Sequence, residues 1–307
     1  MARDLVACVD LGGTKVHAAL GDPASGGFLV DAIAETDTRG GEAVCAQIGD
    51  MVRGLARSVE DGPRIVSAAL GVPGVPNPAT GAILHCPNVG GLDVLDARAA
   101  LAKQIGAPTI IDNDVKLATL GEMSMGCGAG EPNFILVSLG TGIGAGIVVD
   151  GRLLRGAQGA AGEIGYMHAA LAGRASPATL ESRVGTPGIR QTYRRLGGDR
   201  GATARDVFLR ARAGEGAARC TLDEVGRELA AAIVSLAWIV DPALIVLAGS
   251  IGLQPELVGR LREDLPRHLG RPLRVEPSAL ENRGVLHGAL ALAARQREQS
   301  KTEREES

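Results

Sequence analysis

The feature that most restricts what this chain can fold into is a glycine-rich reversal between two apolar runs, and it occurs twice. Leu136-Val137-Ser138-Leu139-Gly140-Thr141-Gly142-Ile143-Gly144-Ala145-Gly146-Ile147-Val148-Val149 reads as strand, tight turn, strand. Glycines alternating with small residues leave the turn's backbone bare, and bare amides can wrap an anion. A shift of 128 residues lays the same plan over residues 6–22, with Leu11 on Leu139, Gly12 on Gly140 and Asp22 on Asp150. A phosphate-sized turn repeated in each half predicts two similar domains facing one polyphosphate.

The rest of the chain alternates strand and helix patterns, which predicts an α/β protein, and 307 residues suit two domains. Only 2% of residues are aromatic, so Ala, Val, Leu and Ile must fill the interior. The formal net charge of −3, with no basic block interleaved with aromatics, argues against nucleic acid as a partner. The longest apolar run, 230–240, is short of the roughly 20 residues a membrane span needs and reads as a buried helix. Strand sequence begins by Leu5 without a leader pattern, which predicts a cytoplasmic protein. The five cysteines, none spaced C-x-x-C, read as reduced core thiols.

In chain order, strands are expected at 27–37, 65–70, 82–85, 109–112, 244–248 and 273–277. Helices are expected at 41–60, 92–105, 115–125, 186–196, 203–213, 255–268 and 284–296. Thr221-Leu222-Asp223-Glu224 reads as a capping box opening a further helix to Val240. Gly71-Val72-Pro73-Gly74, Asn113-Asp114 and Gly249-Ser250 all fall at strand ends, where α/β proteins place ligands. Asn113 and Asp114 also suit a helix N-cap.

Three phosphate schemes compete for the glycines. No G-x-x-x-x-G-K-[ST] loop is present. Gly140-Thr141-Gly142-Ile143-Gly144-Ala145 fits the dinucleotide pattern, but the β-branched run Ile147-Val148-Val149 follows where that motif needs a helix. Two hairpins clamping a nucleotide's phosphates between domains is the scheme that remains.

Five motifs in order, Asp10-Leu11-Gly12-Gly13-Thr14-Lys15, Gly71-Val72-Pro73-Gly74, Asp112-Asn113-Asp114, Leu139-Gly140-Thr141-Gly142 and Gly162-Glu163-Ile164-Gly165, resemble the ROK family of sugar kinases. The resemblance implies a two-domain actin-like ATPase (ribonuclease H-like) fold with a cleft between the domains. The expected domains are 1–112, completed by the helix near 284–296, and 113–283, followed by a disordered tail at 297–307.

It further implies an ATP-dependent transfer of the γ-phosphoryl group to a hexose hydroxyl, the primary 6-hydroxyl of a sugar such as glucose. Asp114 is the implied general base. Asn88, Asn113, Asp114, Glu163, Tyr166 and Glu181 are the implied sugar contacts, and Asp10 the acid that holds Mg²⁺ through water. Gly12, Gly13, Thr14, Lys15, Gly140, Thr141 and Gly142 are expected on the ATP phosphates, and Gly249 and Ser250 on the adenosine side. A homodimer is implied as well.

The sequence departs from the family in one place. Tyr166 stands where most members carry a histidine, and residues 167–182 contain no cysteine, so the family's structural zinc has lost its thiolates and imidazole. No zinc is predicted. Because this loop touches the sugar in relatives, an aminosugar such as kanosamine or an N-acetyl-hexosamine, fructose, or a C7-cyclitol rivals glucose as acceptor. A sugar-responsive regulator and a non-catalytic sugar-binding module are the other classes.

Overall fold

A computed structural model describes residues 3–305 except 61, 78, 85, 87–88 and 169–177. The chain forms two compact units. Met1–Ala129, Arg155–Ala160 and Asn282–Ser307 make the first, and Gly130–Leu154 and Ala161–Glu281 the second.

The first unit opens with β1 (Asp4–Leu11), β2 (Lys15–Gly21) and β3 (Phe28–Glu35), joined as antiparallel neighbours. Helix α1 (Gly41–Ser58) follows and buries Val44, Ile48, Val52 and Leu55, the stripe expected from its 3.6-residue period. Next come β4 (Arg64–Val72), a two-stranded ribbon of β5 (Val75–Pro76) and β6 (Ile83–Leu84), α2 (Ala97–Ile105), β7 (Thr109–Asn113) and α3 (Asp114–Met125). Strands β4 and β7 run parallel to β1, giving the sheet order β3-β2-β1-β4-β7. Helix α2 starts five residues later than expected, because Asp96 accepts a hydrogen bond from the Ala99 amide at 2.9 Å and caps the helix there.

The second unit repeats the plan. Its strands are β8 (Phe134–Leu139), β9 (Ile143–Val149), β10 (Arg152–Leu153), β11 (Leu244–Ala248) and β12 (Arg274–Pro277), in the order β10-β9-β8-β11-β12. In both sheets a hairpin supplies the central strand, and crossovers add two parallel strands on the other side. Its helices are α4 (Leu180–Val184), α5 (Thr186–Arg195), α6 (Ala204–Arg212), α7 (Gly216–Val240), α8 (Gly249–Gly252) and α9 (Pro255–Leu269). The chain then returns to the first unit as α10 (Gly284–Glu305).

Helix α10 lies directly on α3, with the two backbones touching at glycines. A side chain on Gly121 would run into the Gly284 carbonyl, and one on Gly288 into the Leu117 carbonyl.

Several local expectations are corrected. Helix α7 begins five residues before the supposed capping box, and the Thr221 hydroxyl, inside the helix, donates to the Ala217 carbonyl at 2.8 Å. The 230–240 run is not buried all round, since Trp238 is 63% and Ile239 79% exposed. Helix α10 runs on to Glu305. Cys8 and Cys45 are core thiols, whereas Cys86 and Cys127 are half-buried and Cys220 is exposed. Among the described residues no helix is long and apolar enough to cross a membrane.

Candidate functional site

In the first unit, sheet register gathers the expected residues at one edge. Asp10 on β1 pairs with Gly71 on β4, and Gly71 pairs with Asp112 on β7, so three parallel strands end side by side. Gly71 faces the start of α3, where a Cβ would lie 3.3 Å from the Asp114 Cα. The β1–β2 turn is closed by the Gly12 amide donating to the Lys15 carbonyl at 2.9 Å, and the Thr36 hydroxyl donates to the Gly12 carbonyl at 2.7 Å. Gly13, Thr14 and Lys15 are exposed at its tip.

Asn113 is the N-cap of α3. Its Oδ1 accepts from the Lys116 amide at 3.1 Å and its Nδ2 donates to the Gly74 carbonyl at 3.0 Å. The cap reading is therefore correct, and it consumes half the amide's capacity of two donor hydrogens and two acceptor sites. Asp114 occupies the first turn, half-buried at the positive end of the helix dipole, with its Oδ1 accepting from the Val115 amide at 2.8 Å.

Burial pushes the Asp10 carboxyl up to about 6, while His17 and Lys15 pull it down. The folded state thus favours the neutral acid more than the unfolded chain does. Asp10 contributes most to stability below its ordinary value of 3.8, and that contribution is lost as pH rises through about 6. Above this window the carboxylate is a net burden in metal-free protein. Asp10→Asn is expected to raise the stability of metal-free protein at pH 7.5 by about 1–3 kcal/mol and to leave it unchanged near pH 3.5. Denaturant titrations of both proteins at the two pH values check this, and equal stabilities at pH 7.5 would refute it.

In the second unit the β8–β9 turn is closed by the Gly140 amide donating to the Gly142 carbonyl at 2.9 Å, and Thr141 is exposed. The Gly140 carbonyl accepts from both the amide and the hydroxyl of Thr186, each at 3.1 Å. Gly249 and Ser250 follow β11 as the one-turn helix α8. Gly249 takes φ 80°, and a Cβ there would strike β8 at the Leu139 backbone. A Cβ on Gly140 would lie 3.6 Å from the Ser250 Oγ, so the two glycine segments are neighbours.

The Glu163 loop is pinned to β9. Gly162 takes φ 88°, its carbonyl accepts from the Ala145 amide at 2.8 Å, and a side chain there would collide with the Ala145 carbonyl. Glu163 is half-buried just before a single 3₁₀ turn, and Tyr166 at that turn's end is 60% exposed. Glu181 opens α4, and its Oε2 accepts from the Ile143 amide at 3.4 Å while lying against Gly142 and Gly165. One carboxylate thus joins the glycine turn to the Glu163 loop. Asn88 lies outside the described residues.

Sequence reading missed the wall beside Ser250. Thr186, Arg205, Leu209, Arg212, Ser250 and Gln254 line a cavity of about 560 Å³, a size suited to a nucleoside. The Thr186-Pro187 pair announced a helix start, but nothing local linked it to Gly140, 46 residues away.

A family model described as the ROK family matches residues 6–296. A glucokinase of Halalkalibacterium halodurans is 33% identical over 264 residues, 79% of this chain and 79% of its own. A beta-glucoside kinase of Listeria monocytogenes is 27% identical over 289 residues, 93% of this chain and 96% of its own. The crystal structure of a ROK hexokinase from Thermus thermophilus matches with a TM-score of 0.82 at 28% identity, over 95% of this chain and 99% of that one.

Proposed function

The chain belongs to the ROK family, and from that premise we propose that it is an ATP-dependent kinase of a hexose, phosphorylating the primary 6-hydroxyl of a sugar such as glucose. The observation that carries the reading is the register that sets Asp10, Gly71 and the Asn113-Asp114 junction at the ends of three parallel strands. Phosphoryl transfer needs positioning, charge neutralisation and a base for the attacking hydroxyl. Asp114 takes the hydroxyl proton on a carboxylate oxygen. Asn113 uses its remaining donor and acceptor on neighbouring hydroxyls, with Asn88, Glu163, Tyr166 and Glu181 completing the sugar contacts. The turns at Gly12-Gly13-Thr14 and Gly140-Thr141-Gly142 present amides to the phosphates, Lys15 adds charge, and the nucleoside lies along Gly249 and Ser250.

A metal fits this donor set. Asp10 is a carboxylate that burial destabilises and a cation would relieve. The ion would take Asp10, phosphates and water, the ligand set that suits Mg²⁺, a hard cation that keeps part of its hydration shell. Bound there, Mg²⁺ supplies charge neutralisation on the phosphates. Zinc does not fit, because residues 167–182 carry no thiol and His168 offers one ligand at most. Metal analysis of the purified protein is expected to find no stoichiometric zinc.

Tyr166 favours a second acceptor class. A phenol in place of an imidazole alters a hydrogen-bond partner at the sugar, and polar sites discriminate strongly on such changes. We also propose a cytoplasmic protein, and on the family resemblance a homodimer, whose oligomeric state sedimentation of purified protein checks. The test of function is ADP release with ATP, Mg²⁺ and a panel of hexoses, aminosugars and cyclitols. Turnover of none of them would reject a sugar kinase.

A further inference from the structure

We infer that Lys116, together with Arg155, is a positioning residue that ties the sugar loop to the general base, an inference that rests on the roles proposed for Asp114 and Glu163. Residues Arg155–Ala160 pack with the first unit, although Leu154 and Ala161 on either side belong to the second. Two contacts hold this excursion. The Arg155 guanidinium pairs with the Asp112 carboxylate, and the Lys116 ammonium donates to the Gly159 carbonyl.

Both anchors flank the catalytic pair. The other Asp112 oxygen accepts from the Asn113 amide at 2.9 Å, and the Lys116 amide caps onto Asn113. Lys116 is 2% exposed and Asp112 7%. Lysine is almost never buried to that degree, because desolvating an ammonium is expensive and an apolar side chain would fill the space more cheaply. A carbonyl of a crossing loop is one partner this ammonium holds.

The geometry of a chain then sets the consequence. Gly159 and Glu163 are four Cα-to-Cα steps apart, and four steps span at most about 14 Å when fully extended. Holding Gly159 against Lys116, two positions after Asp114, therefore leashes Glu163 to the base through a short tether. Without the clamp the loop keeps its attachment to β9, but Gly159 is no longer held at Lys116 and the limit on the loop's reach is lifted, so sugar affinity falls before the intrinsic chemistry does.

The test uses full-length Lys116→Met, Arg155→Met and Arg155→Lys. Arg155 is a surface residue, so its variants keep the test open if Lys116→Met fails to fold. Amide exchange of 156–162 in ligand-free protein is expected to rise roughly tenfold or more in the Met variants, matching loss of a charge-assisted bond, with the two sheets unchanged. Sugar KM, with the panel's best acceptor, is expected to rise about tenfold with kcat within about threefold, and Arg155→Lys to recover most of it. Unchanged exchange at 156–162 overturns the clamp. Faster exchange with unaltered KM overturns its positioning role. If wild-type protein phosphorylates no sugar, the functional reading fails, while the exchange measurement still decides whether the clamp exists.

Discussion

Asp114→Asn is expected to lower kcat by at least ~10²-fold while sugar KM stays within a few-fold. The substitution is nearly isosteric, and an amide oxygen can still accept from the Val115 amide, so the start of α3 is preserved. What is lost is a carboxylate able to take the hydroxyl proton. Steady-state ADP release with Mg²⁺ and saturating ATP reads the effect. A full rate in this variant would remove Asp114 from the role of base, whatever the identity of the sugar.

The second large effect is structural. Gly288→Val is expected to destabilise the protein by about 3–5 kcal/mol, because the new side chain must enter the space of the Leu117 carbonyl and backbone cannot step aside as a flexible side chain would. Prising α10 from α3 also displaces the helix whose first residue is Asp114, so activity falls with stability. Gly259→Ala in α9 is the control, with open space around the position, and is expected to be neutral or to gain about 0.5 kcal/mol. Urea unfolding of the three proteins compares them. Equal midpoints for wild type and Gly288→Val would show that the α3–α10 contact bears no strain.

Much of the architecture could be read from the chain because its signals are local. Both glycine hairpins, the stripe of α1 and the cap at Asn113 depend on residues within a few positions of one another, and the 128-residue repeat reappears as two sheets of matching order. What could not be read depends on distant partners. Glu181 reaches the Ile143 amide across 38 positions, and Thr186 finds Gly140 across 46. The start of α7 misled for a local reason, since Thr221 satisfies the pattern of a cap and also the back-bonding of a threonine inside a helix. The apolar end of α7 misled for a global one. Periodicity says a face is apolar, and only the fold says whether anything covers Trp238.

The glycine contact between α3 and α10 has a consequence for biosynthesis. Translation delivers α10 after every other element of the first unit, and domains form as their segments emerge. The second unit lies within 130–281, interrupted by a single six-residue excursion, and can close while the chain is still attached to the ribosome. The first unit cannot. Its helix α3 waits with Leu117 and Gly121 unmatched until residues 284–288 arrive. Asp114 is therefore set in place by a segment made after both sheets, and a nascent chain stalled before α10 carries both glycine hairpins without a finished α3.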